Sequence, residues 1–211
     1  MVVNTEKPEI NYSNELGMSA LRIAMSYVDG YSSLKFLFEI LEVQKNEADK
    51  FITFSQFFNY LYRVCYQSVV INLSNILVED KESIHIYYLD SLLEKQCKDN
   101  KNWGGYSDLH TSILKIADSY ARNSDFYIGL KEVRDKYIAH IDKVRFHSAT
   151  RLTKTISLND LKFAYDSIGN LVGKLIGILG INPELIDFDQ LDKANLQFRL
   201  LIDDLKTNPI V

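Results

Sequence analysis

Proline is scarce in this chain of 211 residues. The only three are Pro8, Pro183 and Pro209, so nothing from Glu9 to Asn182 forbids helix on that account. Cysteine is scarcer still: Cys65 and Cys97 cannot make a disulfide framework, and no charged-then-apolar signal peptide opens the chain. No apolar run approaches the roughly 18 residues that span a bilayer. A glycine-rich phosphate loop and an internal repeat are both missing. These absences point to a reducing cytoplasm, with no membrane partner and no cofactor. What remains is 46% hydrophobic and 25% charged, which is ordinary for a globular protein and enough for one sizeable core.

Apolar residues recur with helical period along most of the length, and no strand pattern competes with them. Residues 1–12 read as a loose tail. A long helix is expected from about Ser13 to Asn46, with Asp29-Gly30 as a possible bend, and a second from about Thr53 to Val78. Cys65 falls on the apolar face of that second helix, as a small hydrophobe rather than a nucleophile. The polar break 79–83 precedes a shorter helix from about His85 to Lys95, and a loop containing Trp103 follows. Helix resumes from about Ser107 to Ala121. Ser124 is placed to cap another helix, from Asp125 to about Phe146. Ser157 and Asp160 resemble a capping box for a helix ending near Leu179, with Gly180 as its stop. A last acidic helix is expected from about Asp189 to Lys206. The reading is an all-α antiparallel bundle of five to six helices in one domain, residues 13–206, with a C-terminal tail at 207–211.

Gly169, Gly173 and Gly177 repeat at four-residue spacing and so share one helix face. Each costs up to about 1 kcal/mol relative to alanine in a helix interior. The expected compensation is close approach of a neighbouring helix, either the one around residue 134 or its symmetry mate.

The stretch from Val133 to Asp142 holds the densest chemistry. Leu130, Val133, Tyr137, Ile141 and Val144 form one apolar stripe. Arg134 lies about 60° to one side of its centre and His140 about 60° to the other. Polar groups at the edge of a seam can meet a partner surface without being buried unpaired. Between residues 131 and 154, seven Lys or Arg stand against three acids, although the net charge of the chain is −4. A basic island in an acidic protein suits phosphate at that one place, although a solvated helix face with a basic loop would look the same.

Arg134, the polar Asp135 directly after it, and His140 late in a long helix resemble the signature of HEPN domains. The fuller string, Arg134, Asp135, Lys136, Ala139, His140 and Asp142, resembles the AbiU-type abortive-infection branch. That resemblance implies a helical bundle of bacterial defence or toxin–antitoxin systems, often a ribonuclease with its site across a homodimer interface. It also implies RNA as substrate and a cognate antitoxin as a possible partner. In the branch paired with nucleotidyltransferase antitoxins a tyrosine shortly follows the His; Ile141 and Asp142 stand here instead.

Metal-free RNA cleavage needs a proton acceptor for a 2′-OH and a cation for the phosphate oxygens. An imidazole titrating near pH ~6.5 and a guanidinium supply those two functions. His140 is therefore the candidate for proton transfer and Arg134 for phosphate, with one helix providing a single copy of each. Two such helices packed antiparallel about a two-fold axis would bring each Arg towards the other chain's His. Asp135, Tyr137 and Asp142 are candidate supporting residues; Asp135 could orient Arg134 across the dimer or cap a neighbouring helix. Lys136, Lys143, Arg145 and Arg151 are candidate RNA-binding residues. A metal site from His140, Asp142 and His147 is disfavoured, because Asp142 points elsewhere and no Cys or Glu completes it. His85 and His110 have no evident partners and read as structural. The rival reading is a noncatalytic module that dimerises, binds RNA or a nucleotide, or pairs with an antitoxin.

Overall fold

The computed structural model describes residues 15–48, 52, 55–80, 84–99, 105–135, 156–186, 196–197 and 199–200. Its helices are α1 (Glu15–Asn46), α2 (Ser55–Leu77), α3 (Ile86–Asp99), α4 (Tyr106–Ser119), α5 (Asp125–Val133) and α6 (Leu158–Leu179). A 3-10 turn, Pro183–Leu185, follows. No strand occurs among the described residues, and none of their helices is long and apolar enough to cross a membrane. The all-α expectation is met.

Cross-helix contacts set the directions. Ile40 packs with Phe58, and the Ser33 hydroxyl donates to that of Ser68 at 2.8 Å, so α2 runs antiparallel to α1. Lys174 donates to Ser112 at 2.8 Å, and His110 meets Asp90 at 2.7 Å. With Gly105 against Ile178, α4 is antiparallel to α6; with Tyr87 near Asp118 and Tyr106 near Cys97 and Lys98, it is antiparallel to α3 as well. α1, α3, α4 and α6 thus form a ring of neighbours, α2 lies along α1, and α5 packs on α2. One apolar core unites the bundle, with Leu34, Leu73, Leu89, Leu109, Leu130, Ile168 and Leu175 all but inaccessible.

At the centre of that core is Tyr165, which is fully buried. Its hydroxyl donates to the Val69 carbonyl at 2.8 Å, which satisfies a polar group that would otherwise be costly to bury. Burial keeps this phenol protonated, far above its usual range. Tyr27 and Tyr31 flank the ring at centroid distances of 6.0 and 6.1 Å. The ring fits only because position 30 has no side chain: a Cβ on Gly30 would lie 1.8 Å from the Tyr165 hydroxyl and 2.9 Å from Asn72 Cβ. Gly30 therefore does not bend α1, which stays helical through it.

The glycine stripe on α6 meets a described neighbour at one of its three positions. Gly169 does admit a close neighbour, but the neighbour is Tyr27 of α1, whose hydroxyl would be 2.6 Å from an added Cβ. Gly173 and Gly177 are exposed, and among the described residues a Cβ added at either meets nothing within 4 Å. Four-residue spacing aligns the three on one face, but α6 is long enough for that face to leave the contact with α1 part-way along.

The helix ends follow their capping chemistry. Ser157 accepts from the Asp160 amide at 3.1 Å, and the Asp160 carboxylate accepts from the Ser157 amide at 3.0 Å. Gly180 closes α6 in the left-handed region, at φ 62°. Ser124 accepts from the Tyr127 amide at 3.2 Å and opens α5. α3 runs four residues past Lys95, to Asp99. Cys65 is partly buried against the core, and burial pushes its thiol up to about 11, which suits packing rather than nucleophilic chemistry. Of the expected last helix, residues 196–197 and 199–200 are helical, and Arg199 pairs with Glu39 of α1.

Candidate functional site

α5 carries the first part of the Arg–His stretch. Tyr127, Leu130 and Val133 bury one face, which matches the expected stripe as far as the described residues reach. At Arg134 the amide still donates to the Leu130 and Lys131 carbonyls, and the described backbone passes into a π-type turn at Arg134 and Asp135. An uninterrupted α-helix was expected there. Adjacent residues of a regular α-helix do not face each other, yet here the Arg134 Nε donates to Asp135 Oδ1 at 2.8 Å. The altered turn accompanies that contact.

Arg134 has a second carboxylate partner that no sequence pattern indicated. Its Nη1 lies 3.5 Å from Asp80 Oδ2, on the segment after α2. That segment is held in place by its neighbour Glu79. The Glu79 amide donates to the Tyr127 hydroxyl at 3.2 Å, and its carboxylate pairs with Arg122. Arg122 in turn covers the Tyr87 ring at 5.5 Å. Tyr127 and Arg134 are seven residues apart, two turns along one face of α5, so anchoring Glu79 at the first brings Asp80 to the second. The Arg134 side chain is 21% exposed, which leaves it ordered yet reachable.

Two open grooves meet at Glu79. The smaller, about 490 Å³, is lined by Arg122, Tyr127, Lys131, Glu132 and Asp135 among others. The larger, about 960 Å³, runs between the start of α1 and the start of α3 and includes Asp80 and His85. His85 is nearly buried, and its Nδ1 accepts from the Tyr88 amide at 3.2 Å, capping α3. Burial lowers its pKa first and Arg122 lowers it further, while Glu79 and Asp80 pull it back up. The ring is therefore neutral near pH 7. His110 does have a partner, Asp90.

Arg134 and Asp135 are thus brought together with Asp80 within one chain, where Asp135 holds Arg134 directly. Tyr137, His140 and Asp142 lie outside the described residues, as do Lys136, Lys143, Arg145, Arg151 and His147. Among the described residues, no three His, Cys, Asp or Glu are grouped to hold a metal. Glu79, Asp80, Arg122 and Tyr127 were missed because the acidic stretch 79–83 reads as a polar break. A partner 54 positions from Arg134 leaves no periodic trace.

Residues 19–195 match the AbiU2 family of HEPN domains. The chain belongs to that family. Membership places it among HEPN-type proteins of the abortive-infection class, and the match spans α1 through α6, so it covers the bundle as well as the Arg–His stretch. No curated protein and no solved structure matches the chain. Within this HEPN bundle, Asp80 and Asp135 are the carboxylates that hold Arg134.

Proposed function

We propose that this HEPN protein is a metal-independent endoribonuclease, a toxin or phage-defence effector working as a homodimer. Residues 13–206 form its single catalytic domain. His140 of one protomer takes the proton of a 2′-OH, and the freed oxygen attacks the adjacent phosphorus. The bond to the 5′-oxygen breaks, that oxygen takes up a proton, and a 2′,3′-cyclic phosphate is left. Arg134 stabilises the charge that builds on the phosphate oxygens. Lys136, Lys143, Arg145 and Arg151 hold the strand, Tyr137 and Asp142 support the site, and a cognate antitoxin restrains it. The observation that carries this reading is the Arg134 guanidinium: two carboxylates hold it, its side chain stays open to solvent, and it sits beside grooves large enough for a strand.

The test is cleavage of single-stranded RNA in the presence of EDTA, with the ends analysed for cyclic phosphate. Arg134→Ala and His140→Ala should each lose about 10²–10³-fold in rate at unchanged thermal stability. Wild-type activity in either variant would remove the catalytic assignment.

One observation favours a second reading, a noncatalytic module. Arg134 is already engaged by two carboxylates, as a purely structural tie would be. Asp80→Asn separates the two. In a nuclease it misorients the cation and lowers the cleavage rate about tenfold. In a structural module it changes only melting temperature or dimerisation.

A further inference from the structure

The larger groove is chemically uneven. Its three carboxylates are all engaged: Glu15 accepts from the Tyr88 hydroxyl, Glu79 pairs with Arg122, and Asp80 pairs with Arg134. Its hydrogen-bond donors are not. Arg22 is exposed on α1, lines the groove, and meets no acceptor among the described residues. One turn earlier, Ser19 lines the same wall at 1% exposure, and its buried hydroxyl has no hydrogen-bond partner. His85 uses Nδ1 as an acceptor, so the neutral ring carries its hydrogen on Nε2. That hydrogen, too, finds no acceptor among the described residues.

A buried hydroxyl without a partner costs free energy that a suitable ligand would recover. With the carboxylates spoken for and three donors left over, the missing group is an acceptor-rich anion. Met18, Ile84 and the Tyr88 ring add an apolar wall, which suits a ligand carrying flat or sugar-like surface beside its charge. We infer that this groove is the subsite for the RNA backbone flanking the cleaved bond. Arg22 takes a neighbouring phosphate, and Ser19 and His85 donate to phosphate or ribose oxygens. The inference rests on the ribonuclease reading and extends it along the strand. Asp80 joins the two places, because it lines the groove and also holds Arg134. A strand lying in the groove therefore passes one side chain away from the cation.

Binding is read separately from cleavage, by fluorescence anisotropy of a labelled, fully 2′-O-methylated single-stranded RNA. Arg22→Gln should weaken Kd about tenfold, the loss of one charge-assisted contact, and flatten the salt dependence by about 0.7 in log–log slope. Arg22 meets no acceptor among the described residues, so circular dichroism and melting should stay at wild type. Lys45→Gln removes the same charge about 35 Å away along α1 and should leave Kd and slope unchanged. Ser19→Ala should weaken binding a few-fold. Equal affinity and slope for Arg22→Gln and wild type overturn the inference, as does equal weakening by Lys45→Gln or absence of RNA binding by wild type. A wild type that binds through Arg22 but cuts no RNA would sink the ribonuclease reading and leave the subsite standing. Cleavage with an unchanged KM in Arg22→Gln would do the reverse.

Discussion

Two parts of this bundle solve the problem of buried polarity in opposite ways. Around Tyr165, a single hydroxyl is buried completely, satisfied by one carbonyl, and enclosed by apolar side chains and a glycine. Around Arg134, six charged or titratable groups gather from the segment after α2, the start of α3 and the two ends of α5: Glu79, Asp80, His85, Arg122, Arg134 and Asp135. They are mostly half-exposed and paired with one another. The first arrangement tolerates no change in volume. The second tolerates exchange of partners, because water can replace a lost contact. Packing therefore holds the fold in the first region, and adjustable charge remains at the second, where a phosphate could compete for the arginine.

The contrast can be broken from the packed side. Gly30→Ala drives a methyl group into Tyr165 and should destabilise the protein by about 1–3 kcal/mol, even after alanine's better helix propensity. Denaturant unfolding measures this, and a neutral result would mean that Tyr165 is not held where the contacts put it. A smaller effect of opposite sign sharpens the point. Gly173→Ala on α6, where an added Cβ meets nothing among the described residues, should stabilise by about 0.5–1 kcal/mol. Loss of stability there would reveal a neighbour on that face.

The smallest effect belongs to the charged side. Above its unfolded pKa of 6.5, His85 is neutral in both states and its Nδ1 caps α3. As pH falls below 6.5 the unfolded chain takes up the proton first, because burial lowers the folded value. Stability therefore declines on acidification through that window and the contribution is lost as pH passes the folded value. His85→Asn, which caps without titrating, should show a shallower fall in melting temperature between about pH 6.5 and 5. An identical slope would mean that His85 does not report on folding.

Much of the architecture was legible beforehand. Helical periodicity and the cap residues Ser124, Ser157 and Gly180 located the elements, since these signals act within a few residues. Arg134 and Asp135 stood out for the same reason. What escaped was long-range. The Gly169 stripe was assigned to the helix near residue 134 or its symmetry mate, yet among the described residues the close contact at Gly169 is Tyr27, because spacing specifies a face and not its occupant. His110 gained Asp90 across a helix pair in the same manner.

Local order along the chain determined that this protein is helical, where most helices start and stop, and which residues carry an arginine suited to phosphate. Only the packing of helices decided that Asp80 grips that arginine, that Gly30 makes room for Tyr165, and that Arg22, Ser19 and His85 line one groove. Periodicity and capping are short-range, whereas these contacts join residues tens of positions apart and come into being only when the core closes.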